Sequence, residues 1–299
     1  MENLIATLVL LFLGMAGKRL RLFPENGAQS LNLFVIYVAL PALVLLKVPG
    51  LTPSADLLVV LVIPWLMLGV SALLVLGVSR YFGYSREIEG GLLLVVPMGN
   101  TSFLGIPMVN AFFGGDGIPY AVLYDQLGSF LALATYGTMV LALYGSGQAR
   151  PTAAAIVRKI VTFPTFIALV AALLLRPVAW PPPVAAVLGS ISASLVPVVM
   201  VAVGMQLKLR LTPGTLHPFG SGLLLKLVVA PLLALAFCRL FAFDSLAARV
   251  AVFEAGMPPM VTAGALAAIA GLAPEFTAAI IGYGILFSFA SLSLLYLLL

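Results

Sequence analysis

Gly99-Asn100-Thr101-Ser102-Phe103-Leu104-Gly105-Ile106-Pro107 and Glu254-Ala255-Gly256-Met257-Pro258-Pro259 interrupt two hydrophobic segments at matching places in the two halves of this chain. A helix in lipid keeps its backbone hydrogen bonds to itself, because hydrocarbon offers no partner. Proline removes a donor and its ring presses on the preceding turn. Backbone groups freed at such a break must be buried in protein or line a cavity. Paired Gly/Pro-interrupted spans in corresponding positions of two halves point to a binding site near the bilayer midplane.

Composition supports reading these segments as membrane spans. Of 299 residues, 63% are hydrophobic and 8% charged, and mean hydropathy is +1.20. Soluble domains carry about 25% charged residues. The single Cys238 excludes an internal disulfide and a thiolate zinc site. The one histidine, His217, lies near a loop end and reads as solvated. The net charge of +5 does not suggest nucleic acid, since Lys and Arg in such a chain report orientation first. Met1-Glu2-Asn3 lacks a basic n-region, so no cleavable signal peptide is expected. The residues form no nucleophile–base set, metal-ligand cluster or phosphate loop, and an enzyme is not expected.

Hydropathy predicts ten spans, at roughly 2-16, 28-47, 57-79, 88-112, 118-144, 156-175, 183-206, 218-241, 246-271 and 276-298. Charge, Gly and Pro collect between them, as in Val48-Pro49-Gly50, Gly114-Gly115-Asp116-Gly117, Gly145-Ser146-Gly147 and Trp180-Pro181-Pro182-Pro183. Pro41 precedes Asn100 by 59 residues and Pro197 precedes Pro258 by 61. The halves therefore read as repeats of five spans, 1-148 and 149-299. Five is odd, so the second copy is inverted relative to the first. One set of alternate loops and span ends holds Lys18, Arg19, Arg21, Arg80, Arg86, Arg150, Arg158, Lys159, Lys208 and Arg210. The other holds only Lys47, Arg176, Arg239 and Arg249. The richer side is expected in the cytoplasm, which puts both termini outside.

The first interrupted segment resembles the fourth-span motif of the auxin efflux carrier family, which holds the plant PIN proteins and bacterial relatives associated with malonate, malate and other carboxylates. Gly256-Met257-Pro258-Pro259 with Leu272-Ala273-Pro274-Glu275 is similar to its ninth span and following turn, and Tyr37-Val38-Ala39-Leu40-Pro41 to its second. The resemblance covers the whole chain and is to the bacterial-type members. It implies an all-α integral membrane fold of ten helices in two inverted five-helix repeats, with helices 4 and 9 broken where they cross, shared with the bile acid:sodium symporters. It also implies a bundle of spans 3-5 and 8-10, and a second of spans 1, 2, 6 and 7 that could mediate a homodimer. The short link from Gly145 to Ala153 departs from the long cytosolic loop of many plant members, so regulation through that loop is not carried over.

Several residues at the breaks could carry chemistry. The amide of Asn100 can both donate and accept, and so can hold a carboxylate or an ion beside a broken helix, or satisfy freed backbone groups. The resemblance implies a substrate contact there. Each break leaves a half-helix N-terminus with free N–H groups and partial positive charge. Thr101, Ser102 and Thr262 suit caps or ligands at these ends, and Met257 and Pro258 line the second break. Glu254 lies about one turn before Pro258, and an intramembrane carboxylate is a functional hypothesis by default. The resemblance to the symporters implies a sodium ion at Glu254 with Asn100, although Pro258 and Pro259 stand where polar residues are expected. Glu254 could instead carry a proton, or reach water near Arg249. Asp125 and Ser129 share a helix face and, with Gln126, could complete an ion site. Lys226 could balance a carboxylate, attract an anion, or snorkel to the cytoplasmic edge.

The sequence thus predicts a secondary transporter of small organic anions, auxin-like or dicarboxylate, in the cell inner (plasma) membrane, working by alternating access with no cofactor beyond a coupling sodium ion or proton. A cation/proton antiporter and a non-transporting membrane receptor are the alternatives.

Overall fold

The computed structural model describes residues 2–51, 54, 56–146, 152–176, 178–211 and 213–299. Met1, Gly147 and Arg150, with most of the link between the halves, lie outside the described residues. The described residues form helices α1 (Glu2–Arg19), α2 (Gly27–Gly50), α3 (Leu57–Phe82), α4 (Arg86–Val95), α5 (Thr101–Phe113), α6 (Ile118–Tyr144), α7 (Ala153–Val161), α8 (Pro164–Leu174), α9 (Pro182–Gln206), α10 (Leu216–Leu240), α11 (Leu246–Ala255), α12 (Val261–Ile269) and α13 (Pro274–Tyr296). Six of these, α2, α3, α6, α9, α10 and α13, are long and apolar enough to cross a bilayer, and the bent pair α7–α8 would make a seventh. Leu13, Leu73, Leu174 and Leu297 are among the large apolar side chains left exposed, a surface suited to lipid.

Helix boundaries follow local chemistry. Ser85 and Ser245 cap α4 and α11, their hydroxyls accepting from Ile88 N at 3.4 Å and Ala248 N at 3.3 Å. Phe163, held extended before Pro164, separates α7 from α8 at an angle of 62°. The single span expected at 156-175 is therefore bent, because a residue before proline avoids the helical region. Pro41 and Pro231 each follow a wider π-turn, Val35–Ala39 and Leu225–Val229. A proline clashes with the carbonyl four residues back, and here that carbonyl belongs to the π-turn.

The chain divides into two compact units. The first holds Met1–Ser54, Ser102–Val122 and Val157–Leu207; the second holds Ala55–Thr101, Leu123–Ile156 and Lys208–Leu299. Within the first, α1 and α9 approach so closely that a Cβ on Gly14 would meet the Val201 carbonyl, a small-residue contact usual between membrane helices. Trp180 Nε1 donates to Leu45 O at 3.0 Å and ties the start of α9 to α2. Within the second, Trp65 of α3 donates to Leu127 O of α6 at 3.0 Å. Gly128 lies against Pro64 there.

Candidate functional site

The two breaks meet inside the second unit. Asn100 N donates to Pro258 O at 2.8 Å, and Met260 N donates to Met98 O at 3.1 Å. Gly99 and Pro259 face each other between these bonds as an antiparallel bridge. Residues paired in that non-hydrogen-bonded way need no N–H of their own, so Pro259 forfeits nothing by lacking one. Each interruption thus satisfies groups that the other has freed, as a dry interior requires.

Around this bridge stands a buried polar cluster. Thr101 Oγ1 donates to Asp125 Oδ1 at 2.6 Å, and Gln126 Nε2 donates to Asp125 Oδ2 at 2.7 Å. Lys226 Nζ donates to the carbonyl of Ala255, the last residue of α11, at 3.4 Å. A Cβ placed on Gly99 would stand 3.4 Å from the same Nζ and 3.4 Å from Met257 Cβ, so the ammonium lies against both breaks. Glu254 has no exposed surface, and Asp125 and Lys226 both act on its carboxylate electrostatically. The Tyr124 phenol, also buried, feels the same carboxylate.

Four atoms of this cluster are buried without a hydrogen-bond partner among the described residues: Asn100 Nδ2, Gln126 Oε1 and both Glu254 oxygens. Buried polar groups are seldom left so. Three π-turns contribute to the cluster: Thr101–Gly105 begins with Thr101, Asp125–Phe130 with Asp125 and Gln126, and Leu225–Val229 holds Lys226. Such turns recur at functional sites.

The structure brings together Asn100, Thr101, Asp125, Gln126, Glu254, Met257 and Pro258 from the residues singled out in the sequence. Ser129 is buried one turn along α6, with no hydrogen bond to this group. Thr262 is exposed on α12, and Ser102 falls in the first unit. Glu254 does not reach water beside Arg249, which instead pairs with Asp244 at 3.0 Å. Lys226 does not snorkel: it is 3% exposed, with its ammonium on the Ala255 carbonyl and against Gly99. Tyr124, buried next to Asp125 in α6, was not singled out in the sequence, since an aromatic in an apolar span carries no signal of its own.

The sequence profile of the family described as "Membrane transport protein" matches residues 1–296. The chain belongs to this family. It is the auxin efflux carrier family that the break motifs resemble. An uncharacterized transporter of Methanothermobacter thermautotrophicus is 29% identical over 272 residues, covering 89% of this chain and 87% of the relative. A second uncharacterized transporter, from Methanocaldococcus jannaschii, is 28% identical over 269 residues, 86% of this chain and 85% of its own length. Membership of a membrane transporter family, together with the long apolar helices, makes this a multi-pass membrane protein.

Proposed function

We propose that this protein is a secondary transporter that carries small organic anions by alternating access, built as two inverted repeats of five spans whose fourth and ninth members cross. The repeat reading is supported by order and length. Helices α3, α4–α5 and α6 are followed in the second half by α10, α11–α12 and α13, with a break at the same step. At about 1.5 Å per residue, α11 and α12 with their break span about 35 Å, so the interruption falls near mid-bilayer.

The observation that carries the functional reading is the set of unpartnered atoms at the paired breaks. The free Nδ2 of Asn100 is a donor at the start of α5, where helix N–H groups also carry partial positive charge. A carboxylate suits that combination. Met98, Met257 and Met260 are buried around the breaks and offer adaptable apolar contact for the body of such a molecule.

The charged residues supply coupling. Asp125 and Glu254 set two carboxylates against the one ammonium of Lys226. One proton would cancel the remaining charge and change which state of the cluster is stable away from water. Sodium at Glu254 with Asn100 fits these residues poorly. The Ala255 carbonyl is engaged by Lys226, an ammonium already acts on Glu254, and Pro258 and Pro259 bring no side-chain ligand. No step is assigned to sodium. The buried acidic pair also supports a second reading, a cation/proton exchanger.

Proteoliposomes separate these readings. Uptake and counterflow of labelled carboxylates would be followed with and without proton and sodium gradients, in wild type, Asn100→Ala and Glu254→Gln. Carboxylate flux stimulated by a proton gradient, abolished in Asn100→Ala and uncoupled in Glu254→Gln, is the expected result. Proton exchange for a metal cation with no carboxylate flux would replace the anion carrier by the exchanger.

A further inference from the structure

The cluster has a cation of its own. Lys226 is buried in α10, and the π-turn Leu225–Val229 turns its side chain toward the end of α11. The last carbonyls of a helix have no partner within it and carry the negative end of its dipole. In broken-helix transporters such half-helix ends and unwound carbonyls are where coupling cations are held. Here Nζ donates to the Ala255 carbonyl at 3.4 Å and lies against Gly99 of the first break, one residue along α11 from the buried Glu254, whose oxygens it does not bond. Carbonyl, carboxylate and helix terminus are the surroundings that a monovalent metal ion would seek.

We infer that the Lys226 ammonium is a tethered cation, standing where a dissociable sodium ion would otherwise complete the charge balance of Glu254 and Asp125, so that removing it creates a monovalent-cation site. The inference rests on the reading of this cluster as the coupling centre, but its test measures binding and not flux. The covalent link lets a single basic side chain serve two buried carboxylates. It also assigns a consequence: wild type is indifferent to the choice of sodium, potassium or choline.

The test is thermal unfolding of the purified full-length protein in nanodiscs, in chloride salts of sodium, potassium, methylammonium and choline at matched ionic strength. Wild type should melt at one temperature in all four. Lys226→Ala should melt lower in choline and regain about 3–6 °C in one of the small cations at roughly ten times its dissociation constant. The gain should vanish in Lys226→Ala/Glu254→Gln. Lys226→Gln, which keeps most of the side-chain volume, is run in parallel so that collapse of the alanine variant does not decide the matter. Sodium-selective stabilisation of wild type would overturn the inference, as would Lys226 variants that ignore every cation. Variants that fold in none of the four salts would also overturn it, because a free cation ought to restore them. Cation dependence without carboxylate flux would leave the tether standing and remove the transport reading. Flux without cation dependence would do the reverse.

Discussion

Asp125 shows how closely single residues are constrained. Its carboxylate accepts from Thr101 and Gln126, and it shares its surroundings with a second carboxylate. Hydrogen bonds to a buried charge are worth about 1.5–3 kcal/mol each. Thr101→Val keeps the shape of the side chain and deletes the donor, so it should destabilise the protein by that amount, read as a fall in melting temperature. An unchanged melting temperature would mean that Asp125 finds another donor at no cost. Asn100, Asp125 and Glu254 were legible because a polar residue in a hydrophobic run is conspicuous. The role of Lys226 was not. A lysine has enough reach to leave a span, and only the packing around α10 shows that it stays.

At the scale of elements, the half-helices before the two breaks are built alike. Ser85 and Ser245 both hold extended backbone and cap α4 and α11. Replacing either by alanine should cost about 0.5–2 kcal/mol. If neither Ser85→Ala nor Ser245→Ala lowers the unfolding midpoint, the half-helices are held by packing alone. The second break also leans on α13, where a Cβ on Gly284 would come within 2.8 Å of Pro259 Cδ. Gly284→Ala should therefore push on the bridge and cost about 1–3 kcal/mol, with a matching loss of flux. A stable, active Gly284→Ala would show that Pro259 can shift freely. The breaks could be read from their prolines and glycines. The π-turns could not, since Asp125–Phe130 contains no proline and its geometry is fixed by what α6 packs against.

For the whole molecule, the charge asymmetry predicts a topology that can be checked chemically. The native Cys238 is buried, which leaves a quiet background for labelling. Tyr81 is 83% exposed beside Arg80 at the end of α3, and Leu240 is 79% exposed beside Arg239 at the end of α10. With a membrane-impermeant maleimide, Tyr81→Cys should label only from the cytoplasmic side and Leu240→Cys only from outside. The reverse pattern would invert the orientation. By itself the sequence determined the membrane environment, the position of nearly every helix and the location of both breaks. These follow from local hydropathy, from the missing N–H of proline and from the intolerance of lipid for unpaired backbone. The tertiary structure alone decided that the two breaks, some 160 residues apart in the chain, hydrogen-bond to each other. It also decided that Thr262 is exposed, that Ser102 falls in a different unit from Thr101, and that Lys226 is buried with its ammonium on the carbonyl of Ala255. Those are pairings between distant segments, set by how helices pack, and no local pattern of residues encodes them.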